Sequence, residues 1–148
     1  MNWLLLIPAL LCAEAVWHDV KEREIPDSIP LRVLATGLLV TATTWHVVTF
    51  YDALAGVAIG FLAVLPFTLR GGIGGGDLKL VASLGAWLGI TGTVSLLFWT
   101  AIAGLGVATL THLRGRKDFP YAPAILAGLL VTILLPGALN SLLELLRR

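Results

Sequence analysis

The chain has 148 residues, 57% of them hydrophobic and 13% charged, with a mean hydropathy of +0.92 and a formal net charge of +1. A soluble domain averages about 25% charged residues, so this is the composition of a polytopic membrane protein with little outside the bilayer. No basic run suggests nucleic acid, and the single cysteine, Cys12, excludes an intramolecular disulfide and a cysteine zinc cluster.

The first apolar run is MNWLLLIPALLCAEAVW. Ala13-Glu14-Ala15 has the small-x-small look of a cleavage site, but no Lys or Arg precedes the run, so residues 2–17 are predicted to be a retained span. A span needs roughly 20 apolar residues, and five more candidates follow, at 29–48, 52–69, 78–91, 93–112 and 121–145. The predicted fold is all-α: one integral-membrane domain over residues 1–148 with about six transmembrane helices. The window 78–112 is too long for one crossing, and Thr91-Gly92-Thr93 is the predicted break.

The connecting segments alternate in charge. Lys21, Arg23 and Arg32 follow the first span, Arg70 and Lys79 flank the glycine-rich turn, and Arg114, Arg116 and Lys117 follow the fifth span. The turns near 45–52 and 91–93 carry no Lys or Arg. These eight residues define the cytoplasmic side and put both termini outside, against Arg147 and Arg148 at the end of the chain.

Two carboxylates fall on that side. Asp19 ends the first span, and Asp77 follows GGIGGG at the start of the short fourth span. A carboxylate at the membrane surface is expensive and is a functional candidate by default. Two that approach closely cannot both ionise, so the pair can serve as general acid and general base. One would activate a water and the other would protonate the leaving amine of a peptide bond. The glycines would let a substrate backbone come close. The bland alternative is a helix N-cap for Asp77 and an interfacial charge for Asp19. It weakens when both acids share one face and one depth.

The pattern Asp19-x5-Ile25-Pro26, then Gly74-Gly75-Gly76-Asp77-Leu78-Lys79-Leu80, then Pro120-Tyr121-Ala122-Pro123 resembles the prepilin peptidases, or type IV leader peptidases, and the related archaeal preflagellin peptidases. The resemblance covers about residues 17–128. It implies a GxGD-type intramembrane aspartic protease with Asp19 and Asp77 as catalytic residues. It further implies site-shaping or substrate-binding roles for Ile25, Pro26, Asp27, Gly74, Gly75, Gly76, Lys79, Pro120 and Pro123. The implied partners are a prepilin-like substrate, whose basic leader is cut at the cytoplasmic face, and the lipid bilayer; no cofactor is implied. Many members read Ile-Pro-Asn where this chain has Ile25-Pro26-Asp27, and an Asp keeps the capping role of the Asn. Bifunctional members carry a four-cysteine zinc region and methylate the mature pilin. With one cysteine, this chain is expected to lack that region and to resemble the stand-alone peptidases of tight-adherence pili.

Other features have blander readings. Tyr51-Asp52 imitates the first half of a presenilin-type pair. Asp52 and Asp77, however, lie at opposite ends of the third span, roughly 25 Å apart at 1.5 Å per residue. His18, His46 and His112 are scattered over different spans, so no metal site is expected, and the glycine turn lacks the Gly-Lys-Ser/Thr ending of a phosphate loop. Glu14 has no assigned role, His18 reads as interfacial, and Lys79 is free to bias the local field or meet lipid phosphate. Trp3, Trp17, Trp45, Trp87 and Trp99 read as interfacial anchors. Gly56-x3-Gly60 and Gly85-x3-Gly89 read as close-packing positions. Glu22, Glu24, Asp27 and Asp118 are candidate contacts for a basic leader. A small transporter or assembly scaffold is the rival class, but a transporter site belongs near mid-membrane between repeated halves, and no repeat is visible.

Overall fold

The computed structural model describes residues 3–43, 48–113 and 121–146. A 3-10 turn, Trp3–Leu5, leads into α1 (Leu6–Glu22). The helices α2 (Ser28–Thr41), α3 (Phe50–Leu69), α4 (Gly75–Leu113), α5 (Ala122–Leu134) and α6 (Ala138–Leu146) follow, with no strand among the described residues. The protein is thus an all-α membrane protein. Trp3–Glu22, Phe50–Leu69 and Gly75–Thr109 are long and apolar enough to cross a membrane, and α5 with α6 makes a fourth if that bent pair is one span. Helix α2 is apolar but shorter, at 14 residues.

The centre of the fold is the first arm of α4. A helix that is apolar on every side belongs in a core, and residues 80–87 of this arm are buried without interruption. Leu80, Val81, Leu84 and Trp87 are at most 1% exposed. The arm stops at Gly89, whose φ of 64° and ψ of −168° leave the helical region. The break therefore falls at Gly89 and not at Thr91-Gly92-Thr93, all of which are helical. Gly92 offered a turn residue in sequence, but only Gly89 adopts the positive φ that an L side chain resists.

The break makes α4 a hairpin. Before it, Gly85 lies against Gly56 and Val81 against Gly60, so the first arm runs antiparallel to α3. After it, Leu97, Ala101 and Gly104 line one cavity with Val64 and Phe67, so the second arm returns along α3. The two small-residue spacings thus pack on one another, as their periodicity predicts. Asp52 holds the turn: its Oδ1 accepts the N–H of Ile90 at 3.0 Å, capping the second arm from a different helix. The presenilin-like acid is therefore a structural cap. Asp52→Ala is expected to cost about 1 kcal/mol of stability, in the range of a lost N-cap, whereas Asp52→Asn keeps an acceptor and loses less; thermal unfolding in detergent measures the difference.

Two further expectations are corrected. Trp87 is no interfacial anchor: it is 1% exposed, its Nε1 donates to Val33 O at 2.9 Å, and it packs under Gly37 of α2. Trp3 and Trp17, at 66% and 67% exposure, keep the anchor reading, while Trp45 lies outside the described residues. The predicted sixth span, 121–145, is not one rod. It bends by 86° between α5 and α6, where Pro136 denies a helical N–H and Gly137 takes a φ of 94°.

Candidate active site

Asp19 lies on α1 one turn before its C-terminus, and Asp77 lies in the first turn of α4. Each is 7% exposed. Together they line a cavity of about 420 Å³ whose wall includes Arg23, Glu24, Ile25, Pro26, Asp27, Gly74, Gly75, Gly76 and Lys79. A second lobe of about 330 Å³ shares Asp19, Arg23, Gly74 and Asp77 and adds Gly72, Ile73 and Tyr121. The topology brings the acids together because α1 descends to the end of the bundle where the first arm of α4 begins. At the far end of that arm stands Gly89.

Local chemistry fixes each acid. Asp19 Oδ2 accepts the backbone N–H of Ala122 at 3.0 Å, which ties α1 to the start of α5. That N–H is one of the donors a helix start leaves unsatisfied. Asp77 is not the N-cap residue itself, but its carboxyl accepts a backbone hydrogen bond from Gly74 and so serves the helix start in part as the bland reading proposed. It lies inside the first turn, and its Oδ1 is buried without a hydrogen-bond partner among the described residues. A buried polar atom in that position is ordinarily met by a water, an ion or a ligand. Cys12 is fully buried on α1 within electrostatic reach of Asp77. Burial first, and then the Asp77 charge, push the Tyr121 phenol above its ordinary range, so it lines the cavity as a neutral hydroxyl.

The glycines divide the labour. Gly71, with φ of 75°, ends α3 by donating to Thr68 O at 2.9 Å. A Cβ on Gly76 would stand 2.9 Å from Ile25 Cβ, so glycine is what lets the Ile25-Pro26 segment close on the Asp77 turn. A Cβ on Gly74 would crowd Asp77 Oδ2 at 3.1 Å. Gly75 has open space around it, as room for a substrate would require.

Most residues singled out in sequence meet here. Asp27 does not cap α2 through its side chain; it accepts from Lys79 Nζ at 2.6 Å, joining the α2 start to the α4 start at the cavity mouth. Lys79 is therefore paired with protein rather than lipid. Both side chains are more than half exposed, and such pairs contribute up to about 1 kcal/mol. Asp27→Asn is accordingly expected to shift unfolding by no more than about 1 kcal/mol and to leave the cavity intact, which a detergent melt of the variant checks. Glu14 acquires a role, accepting from Arg32 Nη2 at 2.7 Å and linking α1 to α2. His18 stands 3.3 Å from Glu22. Pro123 lies in the first turn of α5, away from the cavity walls given above. Pro120 and Asp118 lie outside the described residues. Sequence reasoning used Arg23 only to orient the chain and Tyr121 only as part of a motif, and placed neither at the site. Arg23 is the residue just past α1, in the left-handed conformation, so helical spacing from Asp19 gave no signal for it.

The sequence model of the type IV leader peptidase family matches residues 4–109, a stretch that includes both aspartates. The chain belongs to the type IV leader peptidase family. Among its relatives is a Burkholderia pseudomallei (strain 1026b) protein named prepilin leader peptidase/N-methyltransferase, 37% identical over 135 residues that cover 83% of this chain and 42% of the relative. Another is an Escherichia coli O78:H11 (strain H10407 / ETEC) protein named type 4 prepilin-like proteins leader peptide-processing enzyme, 31% identical over 139 residues, or 89% of this chain and 51% of the relative. A Neisseria gonorrhoeae prepilin leader peptidase/N-methyltransferase is 30% identical over 134 residues, covering 84% and 46%. The chain spans about half the length of these relatives or less. No solved structure matches it. Within the leader peptidase family, the shared cavity gives the two aspartates a common environment, and the match ends before α5, which supplies the Asp19 hydrogen bond.

Proposed function

We propose that this chain is a membrane-embedded aspartic endopeptidase that removes the leader from type IV prepilin-like precursors. One observation carries the reading: two buried carboxylates from α1 and α4 line one cavity at one end of an apolar helical bundle. On this reading the two carboxyls divide the roles of general base and general acid. One carboxylate takes a proton from water as it attacks the scissile carbonyl, and the other gives a proton to the leaving nitrogen. Gly75 leaves room for the substrate backbone. The cavity mouth is polar, as cutting a leader ahead of an apolar helix requires.

The proposed location is the inner membrane, with the cavity on the cytoplasmic side. Every described Lys and Arg supports that orientation: Lys21, Arg23, Arg32, Arg70 and Lys79 all lie at the aspartate end, and none lies near Gly89. Of the acids suggested for a basic leader, Glu24 lines the cavity, Asp27 is committed to Lys79 and Glu22 faces His18. Methyl transfer, part of two of the relatives' names, is not assigned to these 148 residues, whose one cysteine supplies no four-cysteine zinc cluster.

The test is to incubate the purified protein, in detergent micelles, with a leader-bearing precursor and map the products by mass spectrometry. A single cut between leader and apolar helix, lost in both Asp19→Asn and Asp77→Asn, is the expected result. No cut, or a cut that persists in either variant, would remove the proposal and leave a scaffold or transporter.

A further inference from the structure

The cavity at the aspartates continues beyond its second lobe. Ile73 and Tyr121, which line that lobe with Asp19 and Asp77, also line a groove of about 460 Å³ between α3 and the second arm of α4. Leu97, Ala101 and Ala108 set one wall and Phe67 belongs to the other, and no charged side chain lines the groove among the described residues. Leu97 to Ala108 covers about 16 Å of helix at 1.5 Å per residue, roughly half the thickness of a hydrocarbon core. A Cβ on Gly104 would stand 3.0 Å from Tyr121 Cε2, so glycine lets the tyrosine ring lie against the arm at the junction. A second apolar groove, of about 470 Å³, lies between α2, α3 and the first arm of α4. It shares Asp27 and Lys79 with the main cavity, and those two side chains are joined to each other at 2.6 Å. The second groove thus meets the cavity across an ion pair, whereas the first lies directly beside the lobe that holds both aspartates.

On the endopeptidase reading, on which this inference rests, the substrate changes character at the bond that is cut. A basic leader lies on one side and an apolar helix on the other. The protein changes character at the same place. The main cavity is walled by charged side chains, Glu24 among them, while beyond Ile73 and Tyr121 the wall is apolar. We infer that the groove between α3 and the second arm of α4 receives the first turns of the precursor's apolar helix, while the leader lies across the main cavity. About 16 Å of groove accommodates about three helical turns. The groove begins at the aspartate end and runs toward the middle of the bundle, the direction an apolar helix takes from a cut at the membrane surface. Ala101, Gly104 and Ala108 keep the arm low, and small residues let helices approach closely inside a bilayer. Lipid tails are as apolar as the helix, so hydrophobicity alone does not favour the precursor over lipid. Shape does, together with the attachment of the helix to a leader already held in the cavity.

Two measurements on the full chain in detergent micelles test this. In the first, photoreactive benzoylphenylalanine replaces Ala101, or Leu34 of the second groove, in an Asp77→Asn background that leaves the precursor uncut. Irradiation is expected to join position 101 to the apolar helix of the precursor, as mapped by mass spectrometry, and position 34 to detergent. The second compares cleavage of the whole precursor with cleavage of a peptide that stops shortly after the scissile bond. Wild type is expected to favour the precursor in kcat/KM. Ala101→Trp fills the groove from an exposed position, so the fold is retained, and the preference is expected to fall about 10-fold, the scale of a few lost apolar contacts. Leu34→Trp is expected to keep the wild-type preference. Cross-links from position 101 to detergent alone, or from position 34 to the helix as strongly as from 101, overturn the inference. So does an unaltered preference in Ala101→Trp, or a wild type that cuts the short peptide as well as the precursor. No cleavage of either substrate by wild type overturns the underlying endopeptidase reading instead, and the cross-links still report on the groove.

Discussion

Asp77→Asn and Asp19→Asn should each lower leader removal by about 10³-fold or more, the combined scale of a lost acid or base and its proton-sharing partner, while both variants still insert and fold. The structure gives each substitution a different safety margin. An Asn at 19 still offers an oxygen to the Ala122 N–H, which Asp19 accepts at 3.0 Å, so the link to α5 survives and the chemistry alone is lost. Asp19→Ala breaks the link as well and should also melt earlier, by about 1 kcal/mol for the unmade hydrogen bond. An Asn at 77 keeps an oxygen for the Gly74 backbone hydrogen bond and replaces a carboxyl whose Oδ1 has no partner among the described residues, so the helix start is retained. Co-expression with a precursor, read as a mobility shift, reports processing, and a detergent melt of the same samples reports folding. Either Asn variant processing like wild type would end the two-carboxylate mechanism.

The largest loss of stability belongs to Gly56→Leu. A Cβ at Gly56 would strike the Gly85 carbonyl and stand 2.9 Å from Gly89 backbone atoms. Backbone cannot rotate aside as a side-chain tip can, so α3 must move off the central arm and uncover the Asp52 cap. Overpacking a close-fitting core costs about 1–3 kcal/mol, and this contact joins two backbones, so the upper end or more is expected. Gly106→Ala is the control. Nothing lies within 4 Å of a Cβ there, and exchanging a helical Gly for Ala should add about 0.5–1 kcal/mol. Melts of the two variants moving in the same direction would refute the packing account.

The meeting of Asp19 with Asp77 was readable before any coordinates because a membrane sorts charges. Basic residues mark one side, and turns of known length return both acids to it. The hairpin was readable from length alone, since no single crossing takes 35 apolar residues. Its exact turn was not. Gly89 and Gly92 look alike in sequence, and what separates them is the carboxylate of Asp52 from another helix, which only the packing of α3 brings near. Trp87 misled for a related reason. Tryptophan prefers the membrane interface on average, and a carbonyl waiting at Val33 is invisible in a string of letters. Arg23 was passed over because a basic residue beside a membrane span already has an adequate explanation. Its positive φ is a property of the folded backbone.

The hydrogen bond from Ala122 to Asp19 spans 103 residues of sequence. A ribosome finishes Asp19 early and Asp77 well before α5, so for a time the growing chain holds both acids with one of them unanchored. Helix α5 acts as a late closing key: the Asp19 carboxyl gains its backbone partner only after the chain has passed both acids. A fragment ending at residue 109 would contain every residue of the family match and still lack the part that locks its first aspartate in place.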